Sequence, residues 1–167
     1  MAIPDMIADP KTFTADGRFA LEAAQAAIRR ECGWHVTPSA QLEGAVNSRG
    51  GRIIQLPCMH ITHVEHITDR DGRLLDYNLD TESGLLEITG TPPQGINAIR
   101  YQLTAGYDHA PDVLSVLVNI AKRAQTAQNG YITSQSVNGS SVSYNTATLF
   151  AQEQARLRPY KIIGRTT

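Results

Sequence analysis

Three histidines at a spacing of three, His60, His63 and His66, with Cys58 just upstream, are the densest set of potential metal ligands in this chain. Imidazole and thiolate are the donors that zinc or iron would take. The setting argues against that use. Ile61, Thr62, Val64 and Ile67 make the stretch a β-strand, and in a strand residues three apart fall on opposite faces. His60 and His66 would share a face without His63, and the distance to Cys58 matches no zinc pattern. The stretch is expected to bind no metal. Asp108 and His109 could form an acid–base pair, but they stand where a strand turns into a helix and read better as a turn and helix-entry cluster. Asp69, Asp71, Asp76 and Asp80 are scattered through turns, where aspartate serves the backbone. The sequence contains no nucleophile elbow, phosphate loop or paired-cysteine motif. The expectation is a protein that is not an enzyme, with no catalytic residues and no cofactor.

The elements that carry these residues are organised around Ile99 to Asn129. Ile99, Tyr101, Leu103 and Ala105 alternate with Arg100, Gln102 and Thr104, the period of a strand with one buried face. Gly106 ends that strand at a turn with Tyr107. Pro111 fits the first position of a helix and Asp112 its positive end. Val113, Leu117, Ile120 and Ala124 follow at helical spacing, with Lys122 and Arg123 placed on the solvent side.

An earlier helix is expected from about Gly17 to Cys32, capped by Asp16. Its apolar face is mostly alanine: Ala20, Leu21, Ala24, Ala27 and Ile28. Arg18, Glu22, Gln25 and Arg29 are placed on the outer face. Gly33 is positioned for a left-handed cap, and Trp34, the only tryptophan, for a packing anchor. Met1 to Thr14 read as an arm or an irregular lead-in. From Arg52 to Ala105 the chain is strand-rich, with a two-residue hairpin turn at Asp71-Gly72 and a second turn at Ser83-Gly84. Residues 129–146 are polar, with Val137, Val142 and Tyr144 spaced as on a hairpin around Asn138-Gly139. A last helix is expected from about Ala147 to Arg158, capped by Asn145 or Thr146 and stopped by Pro159, leaving residues 159–167 as a basic tail. The fold class is therefore α+β: a small helical core (helices about 17–32, 111–128 and 147–158) with an inserted antiparallel β module at 52–105, in a single domain.

Composition sets limits. The chain has 167 residues, is 41% hydrophobic and 19% charged, and carries a net charge of −1. That is one ordinary domain with no strong pull toward nucleic acid or an acidic membrane. No apolar run approaches the ~20 residues that span a bilayer, and no signal peptide is visible. Two cysteines, Cys32 and Cys58, fit a reducing cytosol.

Taken in order, Ala23 to Trp34, Leu56-Pro57, Tyr101 to Tyr107, Pro111 to Ala121, Ser134 to Tyr144 and Leu157 to Tyr160 resemble the head–tail connector proteins, or adaptors, of long-tailed bacteriophages. The resemblance runs through most of the chain and rests on order and spacing. It implies a structural virion protein of the neck, assembled in the host cytoplasm. Such a protein forms a ring, expected to be dodecameric, between the portal and the next neck or tail protein. DNA passes through the lumen without sequence-specific binding, which a near-neutral chain suits. The β module is long for the smallest members of that family. Three sets of residues follow as expectations. Ser136, Val137, Val142 and Tyr144 would meet a neighbouring subunit. Tyr160, Lys161, Ile162, Ile163 and Arg165 would reach the portal, so that removing Tyr160 to Thr167 leaves the fold intact. Gly33, Trp34, Gly106, Tyr107 and Pro111 would be structural anchors. No residue is assigned to a metal. The alternatives are another neck ring protein such as a head-closure (stopper) protein, a binding module that recognises a carbohydrate or protein through its β insert, and a small metal-dependent enzyme.

Overall fold

A computed structural model describes residues 3–7, 15–128, 134–137, 140–143 and 149–162; for 15, 16, 126–128 and the two short strands within 134–143 it describes the backbone only. The fold is α+β, with three α-helices and small antiparallel sheets among the described residues. The chain divides into two compact units, each assembled from separated stretches. The strand unit takes Met1–Pro4, Cys32–His109 and Tyr160–Thr167, and the helix unit takes Asp5–Glu31 and Ala110–Pro159.

In the strand unit, β1 (Ala40–Arg49), β6 (Gln94–Ala105) and β3 (Ile61–Asp69) form one sheet in the order β1-β6-β3. The expected alternation of β6 holds: Ile99, Tyr101, Leu103 and Ala105 are buried, while Arg100 is exposed. The strand is longer than its apolar pattern suggests, because Gln94 and Gly95 pair with Arg49 and Ser48 across an irregularity in register. β1 lies ahead of the expected start of the module at Arg52. Its alternation is faint, since Ala40, Leu42, Gly44 and Val46 are the residues opposite Ala105, Leu103, Tyr101 and Ile99.

β3 departs from the simple period. Its register against β6 shifts between Ile61 and His63 and again between Val64 and His66. Each β-bulge inserts a residue, so Ile61, Val64 and Ile67, three apart, all stand opposite the inward residues Ala105, Leu103 and Tyr101. The other three-stranded sheet, in the order β2-β5-β4, comprises β2 (Ile53–Gln55), β5 (Leu85–Ile88) and β4 (Tyr77–Asp80). Leu86 and Ile88 are its fully buried residues.

The turn before β4 also differs from expectation. The Asp69 N–H donates to the Arg73 carbonyl at 2.9 Å, closing a three-residue loop. Only Gly72, with φ +83°, is left-handed there, whereas the expected two-residue turn needs two such residues. The Asp69 carboxylate selects the wider loop by accepting the N–H groups of Asp71 and Arg73 at 2.9 Å each.

In the helix unit, α1 (Ala15–Cys32) and α2 (Pro111–Gln128) each run 18 residues. α1 starts one residue before Asp16, which is therefore inside the helix rather than its cap. Ala20, Leu21, Ala24, Ala27 and Ile28 are buried as expected, and so is Gln25. Its polarity predicts an outward position for Gln25. Instead its Oε1 accepts the Met6 N–H at 2.7 Å, and Met6 is itself buried, so part of the lead-in is fastened to the helix. On α2, Val113, Val116, Leu117 and Ile120 are buried, and Pro111 opens the helix as its sequence position suggests.

α3 (Ala151–Leu157) is shorter than expected. It begins after Phe150, whose N–H donates to Glu153 Oε2 at 3.0 Å. The expected caps Asn145 and Thr146 lie outside the described residues. A 3-10 turn, Arg158–Tyr160, carries Pro159 and ends the helix. Between α2 and α3, β7 (Ser134–Val137) and β8 (Ser140–Ser143) pair antiparallel as the polar hairpin.

Candidate assembly surfaces

Three separated stretches of sequence meet in the strand unit. At the end of α1, Gly33 adopts φ +83°, the left-handed cap read from its position. The chain then tightens. The Thr37 N–H donates to the His35 carbonyl at 2.8 Å, around Val36 at φ +63°. A β-branched residue there is strained, and it is held by full burial and by its carbonyl, which accepts the Tyr107 N–H at 2.9 Å. His35 Nε2 lies 3.0 Å from the Ala105 carbonyl, so this nitrogen carries the proton and donates.

The third stretch is the segment after α3. The Trp34 indole N–H donates to the Tyr160 carbonyl at 2.6 Å, and the Ile162 N–H donates to the Cys32 carbonyl at 3.1 Å. Tyr160 stands edge-on to Tyr107 at 5.3 Å, and Tyr107 stacks on His60 at 4.1 Å, 11° from parallel. Trp34 completes the cluster, 5.2 Å from the His35 ring and 6.2 Å from that of Tyr107.

Gly106 makes this approach possible. It has φ +116°, and a Cβ on it would stand 2.7 Å from His35 Nε2 and 2.8 Å from the Pro38 carbonyl oxygen. Gly106→Ala is therefore expected to destabilise the protein by about 2 kcal/mol or more, combining the disfavoured backbone with that overlap. A urea midpoint equal to that of the parent would contradict it.

The candidate ligands are dispersed. The bulges in β3 put His63 and His66 opposite Thr104 and Gln102, so both face away from the buried row, and both are exposed. The expected separation of His63 from His66 is thus corrected: two inserted residues restore them to one side. His60 is taken up by the stack on Tyr107 and lies 3.4 Å from Glu82. Cys58 is fully buried, and burial pushes its thiol up to about 12, which disfavours the thiolate that a metal needs. Among the described residues, no three His, Cys, Asp or Glu side chains come together as a metal-binding group. Asp108 and His109 are exposed, and no hydrogen bond or ion pair joins their side chains among the described residues.

In the helix unit, Arg123, expected on the solvent side, turns to α3. Its Nη2 donates to Glu153 Oε2 at 2.9 Å, Nη1 donates to Oε1, and the guanidinium carbon sits 4.1 Å from the Phe150 ring centroid. Burial alone would push the Glu153 carboxyl up. The Arg123 hydrogen bonds, the Phe150 N–H and the charges of Arg123 and Arg156 outweigh it and hold the group below the usual carboxylate range. The sequence carries half of this signal: a glutamate at the third helical position is the second part of a capping box.

Glu153→Gln at neutral pH is expected to cost about 2 kcal/mol, less than a fully buried pair because Arg123 keeps some water contact. With the folded pKa below the unfolded value of ~4.3, the contribution is full above that value and lost as pH falls through the folded one. The difference in melting temperature between parent and variant should hold from neutral pH to about pH 5 and close in stronger acid. A difference that widened in acid would refute the assignment.

No family model matches the sequence, and no curated protein matches it. Among solved structures, the neck of a native GTA particle, computed with C12 symmetry, contains a chain that aligns over 98% of this one and 96% of its own length, with a TM-score of 0.51 at 16% identity. The chain has a fold similar to that of this neck chain. A chain in the neck of an empty GTA particle, computed with C6 symmetry, aligns over the same shares at 17% identity and a TM-score of 0.42.

The residues expected at contacts fall as follows. Ser136 and Val137 lie on β7 and Val142 on β8, with Ser136 opposite Ser141, Val137 opposite Ser140 and Gln135 opposite Val142. Tyr144 lies outside the described residues, as do Ile163 and Arg165. Tyr160 is half-buried in the aromatic cluster and Ile162 is buried, so the tail's first residues belong to the strand unit rather than to a detached arm; Lys161 is exposed. No helix among the described residues is long and apolar enough to cross a membrane.

Proposed function

We propose that this chain is a ring-forming structural protein in the neck of a tailed phage or phage-like particle. In this reading it is an adaptor between the portal and the next neck or tail protein, and its ring continues the DNA channel. The observation that carries the proposal is the end-to-end fold likeness to a chain of a twelvefold-symmetric particle neck, 98% of one chain against 96% of the other.

The construction of the chain agrees with that role. A polar hairpin with no third strand among the described residues suits a protomer completed by its neighbours. A net charge of −1 suits a wall along which DNA slides, since many phosphate contacts would hold it. The hairpin supplies subunit contacts, and Lys161 with the residues after Ile162 supplies portal contacts. The protein acts in the virion, without cofactor or catalysis.

The test is the native mass of the purified chain, alone and mixed with its portal, together with images of the assembly. Closed rings near twelve copies, free or seated on the portal, are the expected result. A monomer under both conditions would refute the reading. Rings that bind only a preformed portal–adaptor complex would assign the chain to head closure instead.

A further inference from the structure

Among the described residues, one sheet edge of the strand unit has no paired neighbour. β1 is ten residues long and pairs on one side only, with β6. The opposite edge of the same sheet, β3, is covered at both ends. The Ile61 and His60 N–H groups donate to the Thr81 and Glu82 carbonyls, and the Leu75 N–H donates to the Ile67 carbonyl. On the outer side of β1, no backbone group is hydrogen-bonded among the described residues. A long bare edge is normally blunted by proline, lysine or a bulge of its own. β1 has neither proline nor lysine; its only charges are Glu43 and Arg49. Beside it runs a cleft of about 280 Å³ whose lining includes Ile3, Trp34, Leu42, Glu43, Pro57 and Tyr101.

The same chain carries a second set of bare edges. The hairpin β7–β8 is a two-stranded sheet to which no other described strand is joined. Such a hairpin alone is marginal in water. Its register divides it into two rows. Ser134, Ser136, Ser141 and Ser143 make one, and Gln135, Val137, Ser140 and Val142 the other. The hairpin strands carry no charge.

We infer that the hairpin β7–β8 of a second copy of this chain adds to the bare edge of β1. The sheet is thereby extended across the subunit boundary, with the valine-bearing row over the cleft and the serine row beside the polar face of Glu43. This deepens the ring reading and rests on it. Backbone hydrogen bonds supply the attachment and the two-faced match supplies the register. The two contact patches differ, so the contact is head-to-tail. Repeated copies then continue around an axis and close. Pairing of β1 with β1 would instead be isologous and stop at a dimer.

The test uses full-length protein under conditions that yield the ring. Glu43→Cys is combined with Ser141→Cys, and separately with Ser136→Cys, one for each strand of the hairpin. The native Cys32 and Cys58 are buried and stay out of the reaction. Oxidation of assembled rings should give a ladder from dimer to complete ring on a denaturing gel with at least one of the two double variants, and with no single variant. Hydrogen exchange should show at least tenfold slower exchange at alternate amides of β1 in the ring than in the protomer. Rings of full mass without the ladder, and with β1 amides exchanging as in the protomer, would overturn the edge pairing while leaving the ring reading standing. Dimers from Glu43→Cys alone would overturn it in favour of an isologous contact. A cross-link within one chain would overturn it in favour of self-docking. Absence of any ring would overturn both readings.

Discussion

Deleting Tyr160 to Thr167 is expected to lower stability by about 4 kcal/mol or more, unfolding the strand unit instead of trimming a free tail. Ile162 is 5% exposed, and its burial contributes about 2 kcal/mol. The Trp34 indole N–H would lose the Tyr160 carbonyl, and a buried donor left unpaired costs about 1–2 kcal/mol. The edge-on pair of Tyr160 with Tyr107 adds about 1 kcal/mol. Trp34, the only tryptophan, reports directly on the loss through its fluorescence during urea unfolding. Ile162→Asp should reproduce most of the effect, and Lys161→Ala, at an exposed position, little of it. A truncated protein with the parental midpoint would restore the tail to the role of a detached arm.

Leu117→Asp is expected to remove the helix unit altogether. Leu117 is fully buried on α2 beside Val113, Val116 and Ile120 on the same helix. A carboxylate there has no partner, and the penalty is about 3 kcal/mol or more in addition to the lost apolar contact. That is a large part of the total stability of an ordinary domain. Inclusion bodies or a loss of helical circular dichroism are the expected readouts. Soluble protein melting at the parental temperature would show that α2 does not carry the core of its unit.

Both predictions depend on features of unequal visibility in the sequence. α2 and the second half of β6 were legible because burial there follows one period without interruption, from Val113 to Ile120 and from Ile99 to Ala105. β1 was not, because Gln41-Leu42-Glu43-Gly44-Ala45 offers one large apolar side chain; the strand is specified by its partner β6 rather than by its own pattern. β3 was legible as a strand but not in its faces, since two bulges turn a period of two into a spacing of three. Polarity misled at Gln25 and Arg123, each of which is turned inward by one partner, the Met6 N–H and Glu153. The docking of the tail is not legible, because Tyr160 and Ile162 are held by contacts with residues far away in sequence, which leave no periodic trace. Gly33, Trp34, Gly106 and Tyr107 each stand out by local position alone, and their convergence with Tyr160 exists only in three dimensions.

The interleaving of the two units has a consequence for synthesis. Both β1 and β3 wait for β6, the last strand of their sheet to leave the ribosome, and the strand unit still lacks its final side chains until Ile162 has emerged. The helix unit likewise needs residues from both sides of the strand unit. Contacts so distant along the chain form late and close slowly. The strand unit cannot be completed before Ile162 has been synthesised, and the helix unit cannot be completed before α3 has. A chain terminated ahead of Ile162 lacks a stretch of the strand unit, and one terminated ahead of α3 lacks part of the helix unit as well, so early termination is expected to leave neither unit folded.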